Sequence, residues 1–265
     1  LAPLFVVGCP RSGTTMIGHY LETSPAVVHL GEYGALYVTW SVLPHFGIAG
    51  KLSGRPPSPH VERYREEARR HAQEFPSRID APHARYWCDS SPVNLLIAGE
   101  LVEWLPDARY VLVVRHYRGV LPSLARCFER GEMWAGATWH QRAALWSQYY
   151  TQAGLLPVDR VTVVSYDRLC AEPFATLAEL QQRLGSIGIP AESLDAAALA
   201  TSWATVPEER RPTVGAIAGD GSARLAPVEA PRPPWTSEDE ARIAAIAAPA
   251  RARLVETFPE LAGWV

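Results

Sequence analysis

Gly8-Cys9-Pro10-Arg11-Ser12-Gly13-Thr14-Thr15 places two glycines with four residues between them, an arginine among the four, and follows them with paired threonines. Glycines at that spacing let the backbone turn so that successive N–H groups, and the positive end of a following helix, converge on a tetrahedral anion. Arg11 adds a mobile cation to the loop. Threonine stands at 14, where a nucleotide-hydrolysing enzyme of this loop type carries lysine. The chemistry on offer is the gripping of a phosphate-like or sulfate-like group.

The elements around the loop read as strand, turn and helix. Leu4 to Val7 is a short run of β-formers, and Thr14 to Glu22 has helical composition up to the break at Pro25. Val27 to Leu30 forms a second strand ending at Gly31-Glu32. Helices are expected over Tyr33 to Leu43 and Val61 to Phe75, then a brief strand at Tyr86 to Cys88. Ser91 before Pro92 signals a helix start, with the hydroxyl capping free N–H groups, and that helix should run to about Leu105. Tyr110 to Val114 is five β-formers in a row, as in a strand covered on both faces. Helices at Val120 to Glu129 and Thr138 to Ala153, a strand at Val161 to Ser165 and a helix at Phe174 to Leu184 follow. Val206 to Pro234 reads as one long loop before a last helix at Ser237 to Thr257. The alternation specifies an α/β fold, a central parallel sheet with helices on both faces, in one domain over residues 1–265.

Two further segments join the loop. Arg115-His116-Tyr117-Arg118-Gly119-Val120-Leu121-Pro122-Ser123 directly follows the best strand, so Arg115 sits at a strand's carboxyl end, where open α/β sheets bind ligands. Val163-Val164-Ser165-Tyr166-Asp167-Arg168-Leu169 closes the later strand. With Pro10 to Thr15, these segments resemble the sulfotransferases that use 3′-phosphoadenosine 5′-phosphosulfate (PAPS), in the Arg-containing form of the tyrosylprotein and bacterial branch, on a P-loop nucleotide-kinase-like scaffold. The resemblance spans Leu4 to roughly Leu184.

It implies that Pro10, Arg11, Ser12, Gly13, Thr14 and Thr15 hold the 5′-phosphosulfate, that Arg115 and Ser123 hold the 3′-phosphate, and that Tyr166 borders the nucleotide. Late in the chain Arg211, Ser222 and Arg224, with Arg210, are candidates for closing over it, or are solvated surface charge. It further implies transfer of a sulfuryl group to a hydroxyl, leaving adenosine 3′,5′-bisphosphate (PAP), with Arg11 stabilising the departing phosphate. Glu32 resembles the catalytic glutamate of that branch; partial burial would raise its pKa toward the working range. The other reading of Glu32 is a carboxylate favoured by a helix start, and His45 and His83 are distant alternatives as base. Relatives carry lysine where this chain has Ser90, which could donate a hydrogen bond but no charge.

Composition narrows the rest. A net charge of −3 over 265 residues, with scattered basic groups, argues against nucleic acid as a partner. Lys51 is the only lysine, so anion-binding cations here are guanidinium groups. Cys9, Cys88, Cys127 and Cys170 lack CxxC spacing and read as reduced thiols in a cytoplasmic protein, and no apolar run is long enough for a membrane partner. No metal is required, and no metal-ligand spacing is visible; His19, His29 and His45 are too separated to argue from. Trp40, Trp87, Trp134, Trp139 and Trp146, with Tyr33 and Tyr37, could line an apolar pocket for a small hydroxylated acceptor. Arg-, Ala- and Pro-rich, Lys-poor composition suggests a bacterial tailoring enzyme of secondary metabolism. Two alternatives stand beside this: a phosphate-loop kinase or hydrolase, which Thr14 argues against, and a non-catalytic nucleotide-binding protein.

Overall fold

The computed structural model describes residues 1–34, 36, 59–189, 194, 216–217, 223–224 and 234–265. Strand β1 (Ala2–Gly8) leads into α1 (Thr14–Glu22) and β2 (Val27–His29). Then come α2 (Pro59–Glu74), β3 (Tyr86–Asp89), α3 (Ala98–Trp104), β4 (Arg109–Val114), α4 (Tyr117–Glu129) and α5 (Trp139–Ala153). Strand β5 (Val161–Ser165), α6 (Tyr166–Ala171), α7 (Pro173–Ser186), short strands β6 (Ala216–Ile217) and β7 (Ala223–Arg224), and α8 (Ser237–Thr257) complete the order.

The strands β2-β3-β1-β4-β5 form one sheet in that order, every pairing parallel. From β1 the chain crosses to the edge strand β2, returns to place β3 between them, and then adds β4 and β5 on the other side. This leaves the crevice that binds ligands in open α/β sheets above the carboxyl end of β1.

Side-chain alternation explains the two layers. Phe5 and Val7 of β1 and Tyr110, Leu112 and Val114 of β4 face a core built with α3, α4, α5 and α8, while Leu4, Val6, Val111 and Val113 face one built with α1 and α7. Both faces are apolar because helices cover both. Phe5 packs edge-on against Trp87 at 5.2 Å and parallel to Tyr110 at 5.9 Å, which fixes β1 between its neighbours. Helix α8 buries Ile243, Ala247, Ala250 and Leu254 at helical spacing. Its first turn is tied to α4 through Glu240, which accepts from the Tyr117 hydroxyl at 2.9 Å and from Arg118 Nη2 at 2.6 Å.

Four local expectations change. Pro92 opens a 3-10 segment, Pro92–Ile97, before α3 rather than one continuous helix. Ser91 makes no cap bond; its hydroxyl donates to the buried Asp89 carboxylate instead. Helix α6 stands where only a strand end was read, because Ser165 Oγ caps it by accepting from Arg168 N–H at 3.2 Å. The expected long loop contains the antiparallel pair β6 and β7. The helix expected over Tyr33 to Leu43 lies almost wholly outside the described residues, as do Trp40, Tyr37, His45, Arg210, Arg211 and Ser222. Of Arg224 only the backbone, in β7, is described.

Candidate functional site

The loop after β1 turns the way its glycines require. Gly8 passes so close to β4 that a Cβ there would stand 2.4 Å from the Val113 carbonyl oxygen. Gly13 adopts φ 98° as the residue before α1, and a Cβ on it would meet the Tyr166 ring at 2.5 Å. Arg11 is the one described non-glycine residue with positive φ, 72°. That conformation costs an arginine on the order of 1–2 kcal/mol and aims the side chain across the crevice.

The start of α1 is built for an anion. Its first N–H groups have no intrahelical acceptor by position, no side chain caps them, and no acidic residue lies in the first turn. Within the helix itself nothing offsets its positive end; the nearby negative group is the Glu32 carboxylate, held by Thr15. Thr15 is exposed and Arg11 and Gly13 are half-buried, while Thr14 and Pro10 are buried. Ser12 departs from its expected role. Its N–H donates to the Cys9 carbonyl at 3.0 Å, and its hydroxyl lies 2.8 Å from the Tyr150 hydroxyl. One contact lies within the loop and the other reaches Tyr150 of α5, so Ser12 anchors the loop to that helix.

Tyr150 of α5 holds three chain segments at one oxygen. Its hydroxyl donates to the Val113 carbonyl at 3.0 Å and accepts from the Arg115 N–H at 3.2 Å. With the phenolic proton on Val113, the Ser12 hydroxyl must be the donor in the third contact. Sequence reasoning missed this residue: on α5, one turn after the buried Trp146, it reads simply as core. Trp146 itself donates from Nε1 to the Arg115 carbonyl at 2.9 Å.

Arg115 and Ser123 meet Arg11 in one crevice. Arg115 Nη1 donates to the Arg11 carbonyl at 3.0 Å, and Arg11 Nε donates to Ser123 Oγ at 3.1 Å. Ser123 lies in the second turn of α4. Arg115 is 9% exposed, its guanidinium carbon sits 4.4 Å from the Tyr166 ring centroid, and its Nε has no partner among the described residues. A buried cation with an unused donor fits an anionic group such as a nucleotide phosphate. Gly119 makes room for it, since a Cβ there would be 2.6 Å from Nε. Tyr166, expected beside the nucleotide, is 2% exposed and serves as the platform under Arg115 and behind Gly13.

Beside this crevice, Asp167 Oδ2 accepts from the His116 N–H at 2.6 Å, and burial raises the Asp167 pKa. His116 Nδ1 caps α4 by accepting from Arg118 N–H at 3.1 Å; burial, with Arg251 and Arg118 nearby, lowers its pKa to about 4. Burial also holds the Cys9 thiol well above its ordinary pKa, so the loop cysteine is an inert packing group.

Glu32 accepts from the Thr15 hydroxyl at 2.7 Å, which sets its carboxylate against the first turn of α1. It is exposed, where the sequence reading asked for partial burial. Ser90 is fully buried, its hydroxyl donating to the Gly31 carbonyl at 3.2 Å and lying 2.9 Å from His29 Nε2, so it is turned away from the anion loop. Trp87 and Trp146 are core residues and not pocket walls. Trp139 rests on Trp235 at 5.1 Å, while Trp134 and Tyr33 are exposed. His83 lines a surface depression with Glu22, Val27 and His29. His19 and His29, too separated in the sequence to argue from, come together in space with Glu22.

The profile described as Sulfotransferase family matches residues 3–187. A sulfotransferase from Alicyclobacillus acidocaldarius shares the fold at a TM-score of 0.53 and 15% identity, over 97% of this chain and 95% of that one. The sulfotransferase domain of the Synechococcus PCC 7002 olefin synthase aligns at a TM-score of 0.47 and 18% identity, over 78% of each chain. The curated proteins contain no match. Among the described residues no helix is long and apolar enough to cross a membrane.

Proposed function

The chain belongs to the sulfotransferase family, and from that premise we propose that it transfers a sulfuryl group from PAPS to a hydroxyl of a small-molecule acceptor, releasing PAP. The observation that carries the donor assignment is Arg115: a buried guanidinium with an unpartnered Nε, braced by Tyr166 and bonded to the backbone of the anion loop. A donor with phosphate at both ends of its ribose would engage that cation and the start of α1 together. Sulfate donors lacking the 3′-phosphate would leave Arg115 unused.

The donor supplies an activated sulfuryl group whose leaving group is a phosphate. Arg11 and the first N–H groups of α1 would take up the charge that develops as the sulfur–oxygen bond to that phosphate breaks. Glu32 would accept the acceptor's proton as its oxygen bonds to sulfur. The Thr15 hydroxyl, donating to Glu32 at 2.7 Å, holds the carboxylate beside the loop without neutralising it. No cation from Ser90 enters this scheme, which leaves Arg11 as the charge nearest the transferring group.

The four cysteines are all free thiols, which suits a reducing, cytoplasmic setting. The test is a screen of small hydroxylated compounds with PAPS, read by a mass gain of one sulfuryl group on the acceptor and by appearance of PAP. Tight binding of ATP-magnesium with no preference for PAP would overturn the reading.

A further inference from the structure

On the outer side of α1, away from the loop, three metal-binding side chains converge. His19 and Glu22, three residues apart, share one face of α1, and His29 ends β2. Nδ1 of His19 lies 3.1 Å from Glu22 Oε2, and Nδ1 of His29 lies 3.4 Å from the same oxygen. All the ligand atoms lie within 4.8 Å of one another. A tetrahedral zinc ion with nitrogen and oxygen ligands at 2.0–2.1 Å separates neighbouring ligand atoms by roughly 3.3 Å. Two edges of such a tetrahedron are already in place. The third closes by rotation of His19, whose side chain is 34% exposed.

His29 is the fixed member. Its side chain is 2% exposed, and it packs against α1 where Gly18 leaves room; a Cβ on Gly18 would stand 2.5 Å from Nε2. Nε2 faces Ser90 Oγ at 2.9 Å, and Ser90 Oγ donates to the Gly31 carbonyl at 3.2 Å. A carbonyl can only accept, so with the serine proton there the imidazole is the donor from Nε2–H. That tautomer aims the bare Nδ1 lone pair at the Glu22 carboxylate. A divalent cation between these two atoms would satisfy both, whereas in the other tautomer Nδ1–H donates to Glu22 directly. A hydrogen bond from the far ring nitrogen is also what orients histidine ligands of metals.

We propose that His19, Glu22 and His29 form a binding site for a divalent transition metal of the zinc type, with three protein ligands and a fourth position open toward the depression lined by Pro25, Val27 and Ala81. Two imidazoles and one carboxylate suit zinc and its neighbours rather than magnesium or calcium. The metal pins α1 to the end of β2, three residues before Glu32. The site does not depend on the sulfotransferase reading.

The experiment is calorimetric titration of the chelator-stripped full chain with zinc chloride, paired with thermal melts and with cobalt substitution. The expected result is one equivalent bound, a higher Tm with zinc, and cobalt absorption of tetrahedral type without thiolate charge transfer. Because His29 is buried and its replacement risks misfolding, the diagnostic variant is the double substitution H19A/E22Q at the two more exposed positions. It should weaken zinc by more than about tenfold while its metal-free melt matches that of the wild type. H140A, on α5 and outside the cluster, should bind as the wild type does. Absence of a stoichiometric site, equal zinc affinity in H19A/E22Q, or a thiolate band in the cobalt spectrum would each overturn the proposal.

Discussion

The Nε–H of Arg11 donates to Ser123 Oγ across 3.1 Å, joining the loop after β1 to the second turn of α4. Arg115 closes the same gap from the other side by donating to the Arg11 carbonyl. The two ends of the crevice are therefore preassembled, and a ligand anion at either end is felt by one connected set of groups. Arg115→Ala should weaken PAP binding by about 10- to 100-fold, the range for one lost charge-assisted contact, and leave 5′-AMP binding much less affected. Calorimetric titration of both nucleotides checks this. Parallel losses for the two would remove the 3′-phosphate assignment.

Glu32 touches the anion loop only through Thr15. Glu32→Gln keeps an acceptor oxygen for that hydroxyl but cannot take a proton at neutral pH. PAP affinity should hold, and turnover of any acceptor found in the screen should fall about 10²–10⁴-fold. Turnover within threefold or so of the wild type, at equal PAP affinity, would take Glu32 out of the mechanism.

Tyr150→Phe removes one oxygen from a fully buried junction of three segments. Val113 loses a donor, Arg115 N–H loses an acceptor, and the Ser12 hydroxyl is left without its partner. A buried polar group left unsatisfied costs about 1–3 kcal/mol, so denaturant unfolding should show a loss of at least that order. PAP affinity should fall as well, because Ser12 and Arg115 sit at opposite ends of the crevice. Reduced stability with full PAP affinity would mean that the loop holds its shape without Tyr150.

The parallel sheet and the anion loop were legible because they rest on local pattern. Runs such as Tyr110 to Val114 are apolar without interruption, and Gly8 and Gly13 sit where only glycine fits. The roles inside the site were less legible, because they depend on which way a side chain turns. Ser12 and Tyr166 carry the right groups in the right motif, yet one faces Tyr150 and the other lies under Arg115. Tyr150 and the His19, Glu22 and His29 cluster gave no signal, since their partners come from separate elements brought together by the fold. Helix α6 does carry a local signal, Ser165 as its N-cap, at the end of the strand that precedes it.

His116 couples stability to pH with a definite sign. Its folded pKa is about 4, below the ordinary 6.5, because burial and the Arg251 and Arg118 charges disfavour imidazolium, with Glu240 opposing. The unfolded chain therefore binds the proton first as pH falls. The contribution of neutral His116 is complete above pH 6.5 and is lost as pH falls toward 4. His29, also lowered by burial, acts in the same direction, while Asp167, raised by burial, acts in the opposite one. Protonation at Nδ1 would also remove the acceptor that caps Arg118 N–H. Asparagine at 116 caps a helix start without titrating. His116→Asn should therefore match the wild type near neutral pH and lose less stability on acidification. Denaturant unfolding of both proteins between about pH 4.5 and 7 measures the difference. Parallel stability curves over that range would show that His116 is not the group responsible.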